Sequence, residues 1–215
     1  MAPIFPPWTN WIPLLLAVAG VGGGVVVPTA VWYYFSPEYT DVGYQPAQPL
    51  PYSHRLHAGE LGIDCRYCHD TADRSAKAAI PPTDTCMNCH RTIQSKSEKL
   101  ALVRESDATG KPIPWVRVHM LPDYAYFDHS AHLAAGVGCV SCHGRIDEME
   151  VVRQEKPLSM AWCLDCHRDP APNLRPPALV TAMSWKAADT GYDPHKDAAR
   201  KRFPTPPTHC SGCHR

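Results

Sequence analysis

Ten cysteines and five of the twelve histidines fall into one pattern, written five times: Cys65-x-x-Cys68-His69, Cys86-x-x-Cys89-His90, Cys139-x-x-Cys142-His143, Cys163-x-x-Cys166-His167 and Cys210-x-x-Cys213-His214. Two cysteines at this spacing reach the two vinyl groups of one haem, and the adjoining imidazole falls beneath the iron as proximal ligand. The five motifs predict five covalently bound haems c. Zinc ribbons and redox pairs share the Cys-x-x-Cys spacing but gain nothing from a histidine directly after it. All ten cysteines are consumed by the motifs, so none is left for a structural disulfide framework.

Each iron then has a second axial position to fill, and the residue that fills it decides between electron carriage and small-molecule binding. His54, His57, His129 and His132 form two His-x-x-His pairs, each upstream of a motif, and are the first candidates. His119, ahead of the third motif, is a fifth; surface or propionate-contacting histidines are the competing reading for all five. Met160, His195 and His209 are lesser alternatives, and His209 abuts Cys210 too closely to cap its own iron from the opposite side. Arg91, Arg168 and Arg215 each follow a proximal histidine and suit either a haem propionate or solvent.

The elements that position these groups repeat. Tyr52-Ser-His54-x-x-His57, seven residues, then Cys65 matches Phe127-Asp-His129-x-x-His132, six residues, then Cys139. A second motif follows 16 residues after His69 and 19 after His143. Two dihaem modules, about 52–91 and 126–168, and a terminal motif at 204–215 are predicted. Between them, residues 97–104 read as a short surface helix.

With 23 prolines and roughly 36 residues per haem beyond residue 37, a conventional apolar core is hard to build. The expected fold is that of a multihaem cytochrome c: a single N-terminal transmembrane helix plus a mostly irregular domain of short helices wrapped around five haems. Apoprotein is expected to be largely unfolded.

Residues 1–37 carry no charge, and Trp11–Phe35 gives 25 apolar or small residues, enough to cross a hydrocarbon layer of about 30 Å. No basic n-region precedes the segment, so a retained anchor over residues 1–37 is expected rather than a signal peptide. Trp8, Trp11, Trp32, Tyr33, Tyr34 and Phe35 bracket it as interfacial rings do. Haem c is attached outside the cytoplasmic membrane, which puts residues 38–215 on the periplasmic side. Net charge is zero and offers nothing to nucleic acid, and no Gly-rich phosphate loop or Ser-His-Asp arrangement is visible.

The stretches YSHRLHAGELGIDCRYCH, PPTDTCMNCHR, WVRVHMLPDYAYFDHSAHLAAGVGCVSCHG, PLSMAWCLDCHR and CSGCHR, behind an N-terminal helix, resemble the pentahaem cytochrome c subunit of alternative complex III over nearly the whole chain. The resemblance implies a relay subunit, not an enzyme by itself. Its implied partners are integral-membrane quinol-oxidising subunits, an iron–sulfur subunit, and a monohaem cytochrome c or other periplasmic carrier. A membrane-anchored multihaem quinol dehydrogenase is the alternative.

Overall fold

The structure is a computed structural model that describes residues 4–196 and 205–214. It divides into two units, Met1–Asp41 and Val42–Arg215.

In the first unit a 3-10 turn, Pro7–Trp11, runs into helix α1, Ile12–Tyr34. Its 23 residues rise about 34 Å at roughly 1.5 Å each, a match to a hydrocarbon layer. The most apolar 18-residue window within Pro7–Tyr34 has a mean hydropathy of 2.1 and none of it is buried within the chain, so this helix is long and apolar enough to cross a membrane. After the short α2, Pro37–Thr40, Tyr39 packs its ring against Tyr33 and Tyr34, with centroids 5.6 and 4.9 Å away.

The second unit has little regular structure. Its helices are α3 (Cys65–Cys68), α4 (Thr83–His90), α5 (Ala101–Thr109), α6 (His129–Ala134), α7 (Cys139–His143), α8 (Met160–Arg168) and α9 (Ala187–Thr190). Among the described residues, β pairing is limited to two isolated bridges, Ala125 with His214 and Val137 with Leu174. One small apolar cluster joins Leu50, Met87, Val103 and Ile113, with Trp115 and Leu100 against it. Side chains alone thus fill little of the interior, as expected where a bound group must complete it.

That cluster explains the one helix whose extent differs from expectation. A 3-10 turn at Glu98–Leu100 leads into α5, which continues to Thr109 instead of ending near Arg104. Val103, 1% exposed, is its buried anchor, and Gly110 at φ 69° ends it in the left-handed conformation. Ser106 ties it to α4 and to the following loop, with Oγ 2.6 Å from Thr83 Oγ1 and 2.6 Å from the Lys111 carbonyl. The helix is a prop for the second motif.

The one-residue difference between the two modules has a local solution. Residues Arg55–Glu60 form a π-helical turn where the second module has the ordinary α6, and the wider turn absorbs the extra residue. Gly59 sits in that turn against the carbonyl of Asp147, a contact that leaves no room for a Cβ. Arg55 donates its backbone N–H to Met149 and pairs its guanidinium with Glu150 at 2.6 Å.

Beneath the third motif, residues 173–183 act as a shelf. Gly138 and Cys139 donate to the carbonyls of Asn173 and Val180, while Arg175 donates to the carbonyl of Gly136. The Arg175 side chain is buried, stacks 5.2 Å over Trp185 and donates to the Ala182 carbonyl at 2.8 Å. A Cβ at Gly138 would collide with its guanidinium. Gly138→Ala is accordingly expected to destabilise the domain by about 1–3 kcal/mol, read by thermal unfolding of the haem-loaded protein; an unchanged midpoint would contradict this packing.

Candidate haem-binding site

Four of the five motifs wind into a helical turn, α3, α4, α7 and α8, and the last into a 3-10 turn, Cys210–Gly212. On a helix, residues three and four apart share a face, so one turn presents both thiols and the following imidazole together. The turns are capped by neighbours. Asp64 accepts from the Arg66 backbone at 2.9 Å and from Thr181 Oγ1 at 2.7 Å, and its hydrogen bonds to Arg66 hold its carboxyl down near 2. Ser159 does the same for α8, accepting from the Trp162 N–H.

Six of the ten thiols, Cys65, Cys68, Cys86, Cys142, Cys163 and Cys166, are raised, against the thiolate form that a bare metal takes. Burial pushes Cys142 up to about 12 and raises Cys86 and Cys163. Cys65 and Cys139 share a hydrogen bond that raises the first and lowers the second. None of the ten cysteines is in a disulfide, and among the described residues no three His, Cys, Asp or Glu side chains converge on a point that would cage an ion.

The imidazoles are held by one ring nitrogen each. Among the proximal histidines, Nδ1–H donates from His69 to Ala79 (2.8 Å), from His90 to Ile93 (2.9 Å), from His167 to Pro207 (2.7 Å) and from His214 to Tyr124 (3.0 Å), always to a backbone carbonyl. The paired histidines follow suit: His57 to Ser53 (2.8 Å), His132 to Asp128 (2.7 Å) and His129 to Ala76 (2.9 Å). A metal-ligating histidine is oriented in this way, its other nitrogen left for the metal. His54 differs, with its Nδ1 buried and without a protein partner. Burial, then the nearby His69 and His57, lowers His54 to about 4, and burial beside four other histidines lowers His143 to about 3. Both are neutral at physiological pH, the form that ligates.

The two modules place these rings alike. His57 faces His90 with centroids 6.2 Å apart, and His132 faces His167 at 6.0 Å. Two imidazoles opposed across one iron, at about 2 Å per metal–nitrogen bond, have centroids roughly 6 Å apart. Tyr52 stacks on His57 at 4.5 Å and turns its edge to His54 at 4.8 Å; Phe127 does the same to His132 and His129 at 4.5 and 4.7 Å. These two aromatics and the carbonyls of Ser53 and Asp128 are site residues to which the motifs alone assign no role. The aromatic-x-His-x-x-His repeat is their signal in the sequence.

The remaining expected residues are placed as follows. His54, His69, His119 and His129 all lie around His143, and His119 Nε2 meets His143 Nδ1 at 3.3 Å. Met160 opens α8 and is 68% exposed; the backbone N–H of His195 donates to Asp193, and His209 precedes the last motif's turn. Arg91 lies 3.9 Å from Asp107 and Arg168 3.3 Å from Asp165, while Arg215 is outside the described residues.

Thiol pairs on single turns, anchored imidazoles and facing rings at iron-spanning distance fit haem and define a c-type cytochrome. The chain belongs to the class III cytochrome c family, whose sequence profile matches residues 105–214, and members of that family bind haem c covalently. It is also 30% identical over 155 residues to the menaquinone reductase multiheme cytochrome c subunit of Nitratidesulfovibrio vulgaris (Hildenborough), an alignment covering 72% of this chain and 66% of that one. The chain thus spans just under two thirds of that relative's length. The profile begins after the second motif, so the first module is tied to the family by its repeat geometry.

Replacing His57 or His132 by Ala is expected to turn one low-spin iron high-spin in each variant, read by electron paramagnetic resonance and carbon monoxide binding, whereas Tyr52→Phe should leave the spin states as they are in the wild type. Unaltered spectra in either alanine variant would refute the facing pairs.

Proposed function

We propose that this chain carries five haems c and serves as the electron-relay subunit of a membrane quinol:acceptor oxidoreductase of the alternative complex III kind. The observation that carries the reading is the order of the attachment sites. Cys68 lies within electrostatic reach of Cys86 and Cys89, Cys65 shares a hydrogen bond with Cys139, Cys142 reaches Cys163 and Cys166, and Cys163 reaches Cys213. The five sites therefore form a connected series in which the second motif leads to the first, then the third, fourth and fifth.

Haem supplies a one-electron couple at each site. The chain's own contribution is to fix the ligands: Nδ1 anchors orient seven of the imidazoles, Tyr52 and Phe127 pack against the paired histidines, and burial lowers His54, His119, His132 and His143. Histidine ligands on both sides leave no open coordination position for a substrate, which favours relay over catalysis at those irons.

The α1 helix supports a single-pass anchor in the cytoplasmic membrane, with the haem domain on the periplasmic side where haem c is attached. The likeness to a subunit of a menaquinone reductase supports a quinone-linked assembly. The partners would be integral-membrane quinol-oxidising subunits, an iron–sulfur subunit, and a monohaem cytochrome c or other periplasmic carrier.

Gentle detergent extraction should yield the chain at a mass five haems above the polypeptide, together with membrane and iron–sulfur subunits. The isolated chain should accept electrons from a reductant but not oxidise a quinol analogue. Rapid quinol oxidation by the chain alone would replace the relay with a quinol dehydrogenase.

A further inference from the structure

A histidine that gives Nε2 to iron must place its Nδ1–H on an acceptor. Four of the five motif histidines use a backbone carbonyl for this, those of Ala79, Ile93, Pro207 and Tyr124. The fifth, His143, does not. Its Nδ1 meets the Nε2 of His119 at 3.3 Å, with the rings nearly perpendicular at 79° and their centroids 4.4 Å apart.

That contact is of a different kind from the facing pairs. The centroids are well inside the 6.0 and 6.2 Å of His132 with His167 and His57 with His90, so an iron does not fit between the rings. It also engages Nδ1 of His143, the edge turned away from the nitrogen that would coordinate. The spacing of the sequence suggested a distal ligand at position 119. We propose instead that His119 is a positioning residue: its Nε2 accepts the Nδ1–H of His143 and sets that proximal imidazole's rotation and basicity.

The His119 backbone is held for this role. Arg117 Nε donates to its carbonyl at 3.0 Å, and the preceding Val118 is buried. An imidazole nitrogen is a more basic acceptor than an amide oxygen, so His143 becomes a more electron-rich ligand than the other four proximal histidines. The haem of the third motif, in the middle of the series, is thereby set to a lower potential than a carbonyl partner would give it. With His119 so engaged, the His-x-x-His pairs supply four distal ligands, and the fifth iron draws on His195, His209 or Met160 or stays open.

This rests on the haem reading above, and the test separates the two. Peptide mass spectrometry of the full-length, detergent-purified wild type first establishes haem on Cys139 and Cys142; its absence would end the haem reading itself. His119→Gln, whose amide oxygen can accept the same hydrogen bond, and His119→Phe, which cannot, are then compared with wild type by electron paramagnetic resonance, carbon monoxide binding and redox titration. The expected result is no gain of high-spin or carbon monoxide-binding iron in either variant. One haem's midpoint should move upward, further in the Phe variant than in the Gln variant. One additional high-spin haem in both variants would identify His119 as a distal ligand and overturn the proposal. Potentials and spectra unchanged in His119→Gln and His119→Phe would reduce the contact to packing and overturn it equally. Should His119→Phe not accumulate, the spin state and midpoint of His119→Gln alone separate these three outcomes.

Discussion

An imidazole can serve as a fixed ligand only if its second nitrogen is tied down, and this one hydrogen bond organises the domain. Seven histidines give Nδ1–H to a main-chain carbonyl, and the path of the otherwise irregular chain follows from where those carbonyls must be. The loop after the first motif carries Ala76 and Ala79, which hold His129 of the second module and His69 of the first. The chain end is fastened likewise, with Pro207 holding His167 and Tyr124 holding His214. Hydrogen bonds to ligands take the place that strand ladders hold in other domains.

The modules meet through their first attachment sites, where Cys65 touches Cys139 and the histidines of both modules gather around His143. Of their second sites, one packs on the Val103 cluster and the other lies near the terminal motif. The Val103 cluster serves the second motif and the shelf of residues 173–183 the third, and elsewhere the imidazole anchors carry much of the domain's order. A domain built this way would couple folding to haem attachment, as metal binding and folding are coupled in small metalloproteins.

The motif turns were legible in the sequence because Cys-x-x-Cys-His is local: one helical turn delivers all three groups. The matched pairs His57 with His90 and His132 with His167 were half legible, in that the repeat marked the histidines but not their opposite numbers. What escaped is long-range. His167 and Pro207 are 40 residues apart and His214 and Tyr124 90, and a backbone carbonyl has no sequence signature. The full length of α5 was within reach, since Gly110 is a recognisable stop, but the burial of Val103 that draws the helix out is a tertiary effect. For His119, spacing reports proximity to a motif and not which edge of a ring is presented.

The π-helical turn at Arg55–Glu60 bears on how such chains diverge. An insertion between ligand and attachment motif would ordinarily rotate everything downstream by about 100° on a helix. Here the surplus residue is taken up as added girth in one turn, and the rings of His54 and His57 keep the relation to Tyr52 that His129 and His132 keep to Phe127. Linker length at this point is free to drift while coordination is preserved. Haem-bearing relatives are therefore better recognised by the aromatic and its two histidines than by the count of residues that separates them from the cysteines.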